Sequence, residues 1–507
     1  MTIRKIAIIG GGTSGWLAAN HLGRVLKDNP ELSITLIESP DIPIIGVGEG
    51  TVPAIRRSLQ SFGISESEFI RSCDVTFKQS IKFVNWLDKS RHGKGNFYHH
   101  LFDMPNSLGE DLTPSWLMDK SEHFAEYVSP QHAVCEANKA PKLITTPEYS
   151  GVLGYAYHLN AAKFAKLLAK NAVEKFKVEH ISTTVRDVNL TADGAIASLL
   201  TDNGVLSFDF YIDCSGFESI LLAKKLDVPF INKSHQLFID TALVAQVPTL
   251  QSDIIPPFTL ATAHQAGWIW DIALTQRRGT GFVYSSQHME HAEAEAKFDR
   301  YLGGKLADIV HRKIPMTVGY RQQFWAKNCV ALGLAQGFLE PIEATSILLT
   351  DFSARLLAER FPTDKEDISY LAKRFNDTVS QAWERVVEFA KLHYCLSDRA
   401  DSAFWRDNRA DETIPDLLKQ RLTLWKQFSP IPEDFPSKFE VFNMDNYLYV
   451  LYGMKYPTKQ PHTHPDSLKN AKLHLNELRT ITQRMVGGLP EHRELLEKIS
   501  LYGLQRI

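Results

Sequence analysis

Apolar positions change period several times along the chain. "IAII" at Ile6 to Ile9 is a short continuous apolar run, which predicts a parallel strand buried on both faces. Leu17, Ala18, Leu22 and Val25 then recur at helical spacing, and "SITLIE", ending at Glu38, returns to strand. "VEHISTTVRDVNLTADGAIASLLTDNGVLSFDFYIDCSGF" reads as alternating strands with a turn at Asp193-Gly194. Its last strand runs into Asp213, Ser215 and Gly216. "NCVALGLAQGFLEP" is another buried strand followed by small residues. After Glu343, "SILLTDFSARLLAERF" places Leu348, Phe352, Leu356 and Leu357 at helical spacing. A longer helix is predicted from Ile368, Leu371, Phe375, Val379, Ala382, Val386 and Phe389, opened by a capping box from Thr363 to Glu366. The polar stretches near residues 88–110 and 398–415 read as loops.

The order strand, helix, strand gives meaning to the glycines inside it. Gly10, Gly12 and Gly15 form G-x-G-x-x-G between the first strand and its helix. Gly10 permits a tight turn, Gly12 lets backbone approach a pyrophosphate, and Gly15 lets helix and strand pack closely. The helix N-terminus faces the phosphates, and Glu38 is placed to accept from a ribose hydroxyl. Dinucleotide binding follows. The Rossmann unit, β-meander and late strand–Gly–helix order predict an α/β FAD-binding fold of the glutathione-reductase-like class. A mostly helical part completes it. There is one such fingerprint, so reduced flavin is expected to come from a separate flavin reductase.

With 507 residues the chain is too long for one compact core. The expected parts are a first FAD-binding segment at 1–90, a substrate-side insertion at 91–150, a second FAD-binding segment with β-sheet at 151–360, and a helical substrate-covering part at 361–507. The formal net charge of -3 argues against nucleic-acid or anionic-membrane partners. Five scattered cysteines without a C-x-x-C pair argue against a disulfide framework or a metal site. No apolar run is long enough for a membrane span or a secretory signal, and a cytoplasmic location is expected.

One segment resists a packing explanation. "GFLEPIEATSI" is apolar yet carries Glu340 and Glu343 around Pro341. A buried unpaired carboxylate is costly. Taken singly, Glu343 is as well read as a cap for the following helix. Lys78 reads as a surface lysine, Trp268 and Trp270 as strand core, and His100 and Phe102 as core-edge aromatics.

Together these stretches resemble the flavin-dependent halogenases of the tryptophan-halogenase type. "GWIWDIAL" resembles the family's W-x-W-x-I-P signature through Trp268, Trp270 and Ile272, with Ala273 in place of proline. "GVGEGTVP" at 46–53 and "GFLEPIEATSI" resemble two further family segments. "FKQS" carries Lys78, and "YHHLF", "AVCEANKAP", "DCSGF" and "HYCLSDRADSAFW" are also similar. The resemblance implies that reduced FAD, dioxygen and chloride or bromide give hypohalous acid, delivered through Lys78 to tryptophan or another indole. It implies catalytic roles for Lys78 and Glu343, and a substrate site of Lys78, His100, Phe102 and Glu343. A tunnel wall is implied at Trp268 and Trp270. Halide is expected on the backbone of Thr345 and Ser346, where Ser346 replaces a glycine that tolerates unusual backbone angles, and Ala344 replaces serine. FAD is expected at Gly10, Gly12, Thr13, Ser14, Gly15, Glu38, Gly50, Val185, Leu334 and Ile347. A flavin-dependent aromatic hydroxylase and a non-catalytic flavin-binding protein stay open, as does assembly into a homodimer.

Overall fold

Four distant pieces of chain build the sheet that carries the glycine motif. The computed structural model describes residues 2–42, 49–106, 109–461 and 464–506; the first part of "GVGEGTVP", residues 46–48, lies outside the described residues. Strand Lys5–Ile9 pairs in parallel with Ser33–Glu38 on one side and Phe210–Asp213 on the other. Cys329–Ala331 extends the sheet beyond Phe210–Asp213, and Glu179–Ser182 extends it beyond Ser33–Glu38. The chain first winds outward to one side of Lys5–Ile9 and later fills the other side. The carboxyl end of Lys5–Ile9, where Gly10 follows, is therefore the topological switch point, the crevice in which such sheets bind ligands.

The helix Thr13–Leu26 closes this unit. It buries Leu17, Ala18 and Leu22 and lies against helices Ala161–Phe176 and Thr345–Glu359. Strands Val185–Leu190, Ile196–Thr201 and Gly204–Leu206 form an antiparallel meander. Its first turn passes through Gly194 at φ 82, left-handed backbone suited to glycine.

Two further sheets position the site. A seven-stranded sheet includes Gly267–Ala273, Phe258–His264, Ser80–Val84 and, at its edge, Phe97–Leu101. A three-stranded sheet joins Glu49–Gly50 and Thr76–Lys78 to Ala156–Leu159, with Gly50 opposite His158 and Lys78 opposite Ala156. Beyond residue 360 the described residues form helices and turns without a strand. The longest is Ile368–Cys395, whose buried face includes Phe375, Val379, Ala382, Val386 and Phe389. Among the described residues no helix is long and apolar enough to cross a membrane.

Two local expectations fail. The long helix starts at Ile368 after a 3-10 turn at Lys365–Asp367, and Thr363 does not cap it. The Thr363 carbonyl instead accepts from Ile3 N at 2.8 Å, tying the chain's first residues to the helical part. The stretch at 88–110 contains a helix, Lys89–His92, and the edge strand Phe97–Leu101, and 398–415 contains the helix Ala403–Asp407. The edge strand buries its two polar residues, His99 and His100, so its polar sequence gives no apolar alternation to mark it as strand.

Candidate active site

The glycine motif forms a cradle with space above it. Gly10 has φ 114, and a Cβ there would lie 2.3 Å from Cys214 O. A Cβ on Gly15 would lie 1.9 Å from Gly10 O, so this glycine holds helix to strand. A Cβ on Gly12 would meet nothing within 4 Å. No side chain caps the Thr13–Leu26 helix and no acid stands in its first turn, which leaves its N–H groups, including those beside Thr13 and Ser14, to an outside acceptor. Glu38 ends its strand against Gly11 and accepts from His180 Nε2 at 3.0 Å. Val185 starts the meander and packs on the small cluster that includes Ile37. A Cβ on Gly333 would touch Ser14 Oγ at 2.1 Å, so the Gly333–Ala335 turn with Leu334 abuts the cradle. These residues fit a bound FAD: the open space lies where a pyrophosphate must approach, and the acid lies at the strand tip.

Lys78 is buried. Its Nζ donates to Thr51 O at 3.3 Å and lies 5.2 Å from the Phe102 ring. Burial pushes the ammonium down to about 8, and Glu343 draws it partly back. Gly50 faces the same space, where a Cβ would be 3.4 Å from Lys78 Nζ and 3.7 Å from the Ala344 Cβ. Strand Thr76–Lys78 and the segment before the Thr345–Glu359 helix thus converge, although Lys78 and Glu343 lie far apart in sequence.

The two glutamates differ sharply. Both are buried. Glu343 accepts from His100 Nδ1 at 2.9 and 3.0 Å and from His393 Nε2 at 2.9 Å. Burial pushes its carboxyl up, but the two imidazoles, His100 and then His393, overcome this and bring it down to about 2. Glu340 has no hydrogen-bond partner for either carboxylate oxygen among the described residues. Burial drives it up to about 7, opposed mainly by its own backbone and only weakly by Tyr394 and Lys391. Carboxyls three residues apart are thereby separated into a standing anion and an acid that titrates near pH 7.

The helix after Glu343 opens toward an anion. Thr345 and Ser346 are its first two residues, no side chain caps it, and no group among the described residues accepts from their N–H groups. The residue in left-handed backbone is Ala344, at φ 54, and not Ser346. The glycine-to-serine difference therefore sits in ordinary helical backbone, and the strain lies two residues earlier. Ile347 is buried behind them. A small recess adjoins Thr345 and Ser346 and is also lined by Gly333, Gln336, Phe338 and Trp383. Gln336 Nε2 and Trp383 Nε1 are buried donors without a partner among the described residues.

Trp268 and Trp270 point to one face of Gly267–Ala273, their ring centroids 6.3 Å apart. Trp268 Nε1 donates to Tyr394 OH at 2.9 Å. The Trp270 ring fills the place of a side chain at Gly281, where a Cβ would come within 2.0 Å. Both indoles are buried and fixed by these contacts. His100 has both nitrogens occupied, by Glu343 and by Asn446 Nδ2 at 3.0 Å, so it offers an incoming molecule its ring face. Sequence reasoning missed His393, Asn446 and Thr51. The signals for His393 were its place at the head of the family-like stretch "HYCLSDRADSAFW" and its spacing four residues after Phe389 on the long helix.

Comparison with known proteins agrees over the whole chain. A family model described as tryptophan halogenase matches residues 5–470. The tryptophan 7-halogenase of Lentzea aerocolonigenes is 32% identical, with 98% of this chain and 97% of that one covered. The crystal structure of a tryptophan halogenase from Shewanella frigidimarina superposes with a TM-score of 0.95 at 38% identity, covering 100% of this chain and 99% of that one. A flavin-dependent halogenase from Brevundimonas sp. BAL3 superposes with a TM-score of 0.87 at 32% identity, covering 98% and 99%. The chain belongs to the tryptophan halogenase family.

Proposed function

We propose that the protein is an FADH2-dependent halogenase that places chloride or bromide on the ring of tryptophan or another indole. The observation that carries this reading is the pair of opposite charges, Lys78 and Glu343, buried beside an uncapped helix start. A hydroxylase acting directly on its flavin has no need of such a pair.

When bound, reduced FAD supplies the electrons with which dioxygen and halide yield hypohalous acid. The cradle residues Gly10, Gly12, Thr13, Ser14, Gly15, Glu38, Gly50, Val185, Leu334 and Ile347 hold the dinucleotide, and the N–H groups of Thr345 and Ser346 hold the halide. Trp268 and Trp270 keep the indole from the cofactor while a small oxidant passes. Lys78 binds hypohalous acid as an ammonium donor. As halogen bonds to ring carbon, the departing hydroxide takes a proton from Lys78 and leaves as water. The same carbon then loses its proton to Glu343, which restores the aromatic ring. His100 and Phe102 flank the ring. The tryptophan halogenases among the relatives support tryptophan as substrate, and the single nucleotide fingerprint supports a separate reductase.

The test combines the protein with a flavin reductase, NADH, FAD, bromide and a panel of indoles, read by mass spectrometry. A brominated product with the isotope doublet is expected. Hydroxylated product without halogen, or rapid reduction of bound FAD by NADH without the reductase, would replace this reading with the hydroxylase.

A further inference from the structure

The hydrogen bonds around Glu343 assign the protons on both of its histidines. Asn446 comes first, because its amide orientation is fixed. Its Oδ1 accepts from Asn443 N at 3.0 Å, so its Nδ2 donates to His100 Nε2 at 3.0 Å. His100 Nε2 is therefore an acceptor, and its proton sits on Nδ1, which donates to Glu343. His100 is neutral. His393 differs. Its Nδ1 lies 2.9 Å from Phe389 O, a carbonyl that only accepts, so Nδ1 carries a proton. Its Nε2 lies 2.9 Å from Glu343 Oε1. With Glu343 ionised, Nε2 carries a proton as well.

Burial alone disfavours that charge, and the carboxylate and rings around His393 offset it. Its ring is fully buried and lies 4.9 Å from the Phe83 ring, 5.2 Å from Phe389 and 6.2 Å from Trp86 by centroid. Aromatic rings attract a cation, and a buried carboxylate requires one close by. The charged and titratable groups facing Glu343 are His100 and Tyr98 from strand Phe97–Leu101, His393 from the long helix, and Lys78 from Thr76–Lys78. Of these, Tyr98 OH is buried without a hydrogen bond among the described residues, and Lys78 Nζ donates to Thr51 O at 3.3 Å.

We infer that His393 is a positioning residue, an imidazolium protonated on both nitrogens that keeps Glu343 aimed and keeps it ionised until it accepts the ring proton. This rests on the reading of Glu343 as the acceptor of the ring proton. The consequence is kinetic. A carboxyl paired with a fixed cation is a weak base, adequate for the very acidic halogenated ring carbon, and it gives the proton up again at once. Without the cation, burial pushes Glu343 up, toward the protonated form that cannot accept the ring proton.

The direct measurement is ¹⁵N NMR of the full chain with labelled histidine and bound FAD, with the His393 signals assigned by their loss in His393→Gln. Two protonated ring nitrogens are expected at pH 7 in the parent, and only Nδ1 protonated in Glu343→Gln. A neutral His393 in the parent overturns the inference, and so does an imidazolium that persists in Glu343→Gln. The functional measurement uses His393→Gln, whose amide keeps an N–H toward Glu343 without the charge. The ratio of variant to parent product per oxidised flavin is expected to be about tenfold lower at pH 6 than at pH 8. A ratio equal at both pH values describes a merely structural histidine and overturns it. Undiminished halogenation by Glu343→Gln would instead sink the role of Glu343, whatever the state of His393.

Discussion

Glu340→Gln should stabilise the protein in a pH-dependent way. The parent carboxyl is fully buried and is raised from 4.5 to about 7. An acid raised on folding costs nothing below its unfolded value, because both states are then protonated. As pH climbs past 4.5 the unfolded chain ionises freely while the folded one resists, and above about 7 the penalty is complete. At 1.36 kcal/mol per unit, the full penalty is about 3 kcal/mol, and about 2.5 kcal/mol of it develops between pH 5 and pH 7.5. For a chain of 507 residues, an unfolding entropy of about 2.1 cal/mol/K per residue converts this to about 2 °C. The glutamine amide has its own burial cost, but that cost does not vary with pH. The assay is thermal unfolding of parent and variant at both pH values. The variant-minus-parent difference in Tm should be about 2 °C more positive at pH 7.5. An equal difference at both pH values would mean that Glu340 finds a partner for its charge, and would refute the contrast between the two glutamates.

Two further predictions concern the cradle and the lysine. Gly12→Ala should fold like the parent but lose FAD, because its methyl enters open space needed by the cofactor, whereas Gly15→Ala should lower Tm as well, since its methyl collides with Gly10 O; FAD titration and thermal unfolding on both variants separate the effects. With Lys78 lowered to about 8, about nine-tenths of it is charged at pH 7, so product per oxidised flavin should fall as pH rises through about 8. A rise over that range would show that the neutral amine is the working form.

The nucleotide unit was legible because local rules dictate it. Apolar runs of fixed period mark the strands, and Gly10 and Gly15 occupy positions where a side chain collides with backbone. The site was legible only in part. Lys78 looks like any surface lysine until Thr51, Gly50 and Phe102 arrive from separate strands and loops to enclose it. Nothing local distinguishes Glu340 from Glu343; the difference comes from His100, 243 positions away, and His393, 50 positions away. The capping box at Thr363 was a correct local pattern overridden by a partner, Ile3, from the far end of the sequence. The backbone question posed by Ser346 moved to Ala344, because which residue turns left-handed depends on how the Pro341 turn enters the helix: Ile342 N donates to Glu340 O at 2.9 Å and Ala344 N to Pro341 O at 3.1 Å.

The central claim is that Lys78 delivers an oxidant made elsewhere in the protein. Lys78→Ala tests it on one set of samples, with stopped-flow flavin absorbance read beside product analysis. FAD affinity and oxygen-driven flavin reoxidation should stay within about twofold of the parent, while halogenated product falls by more than about a hundredfold. Product formed at the parent rate, or loss of FAD from the variant, would contradict the account.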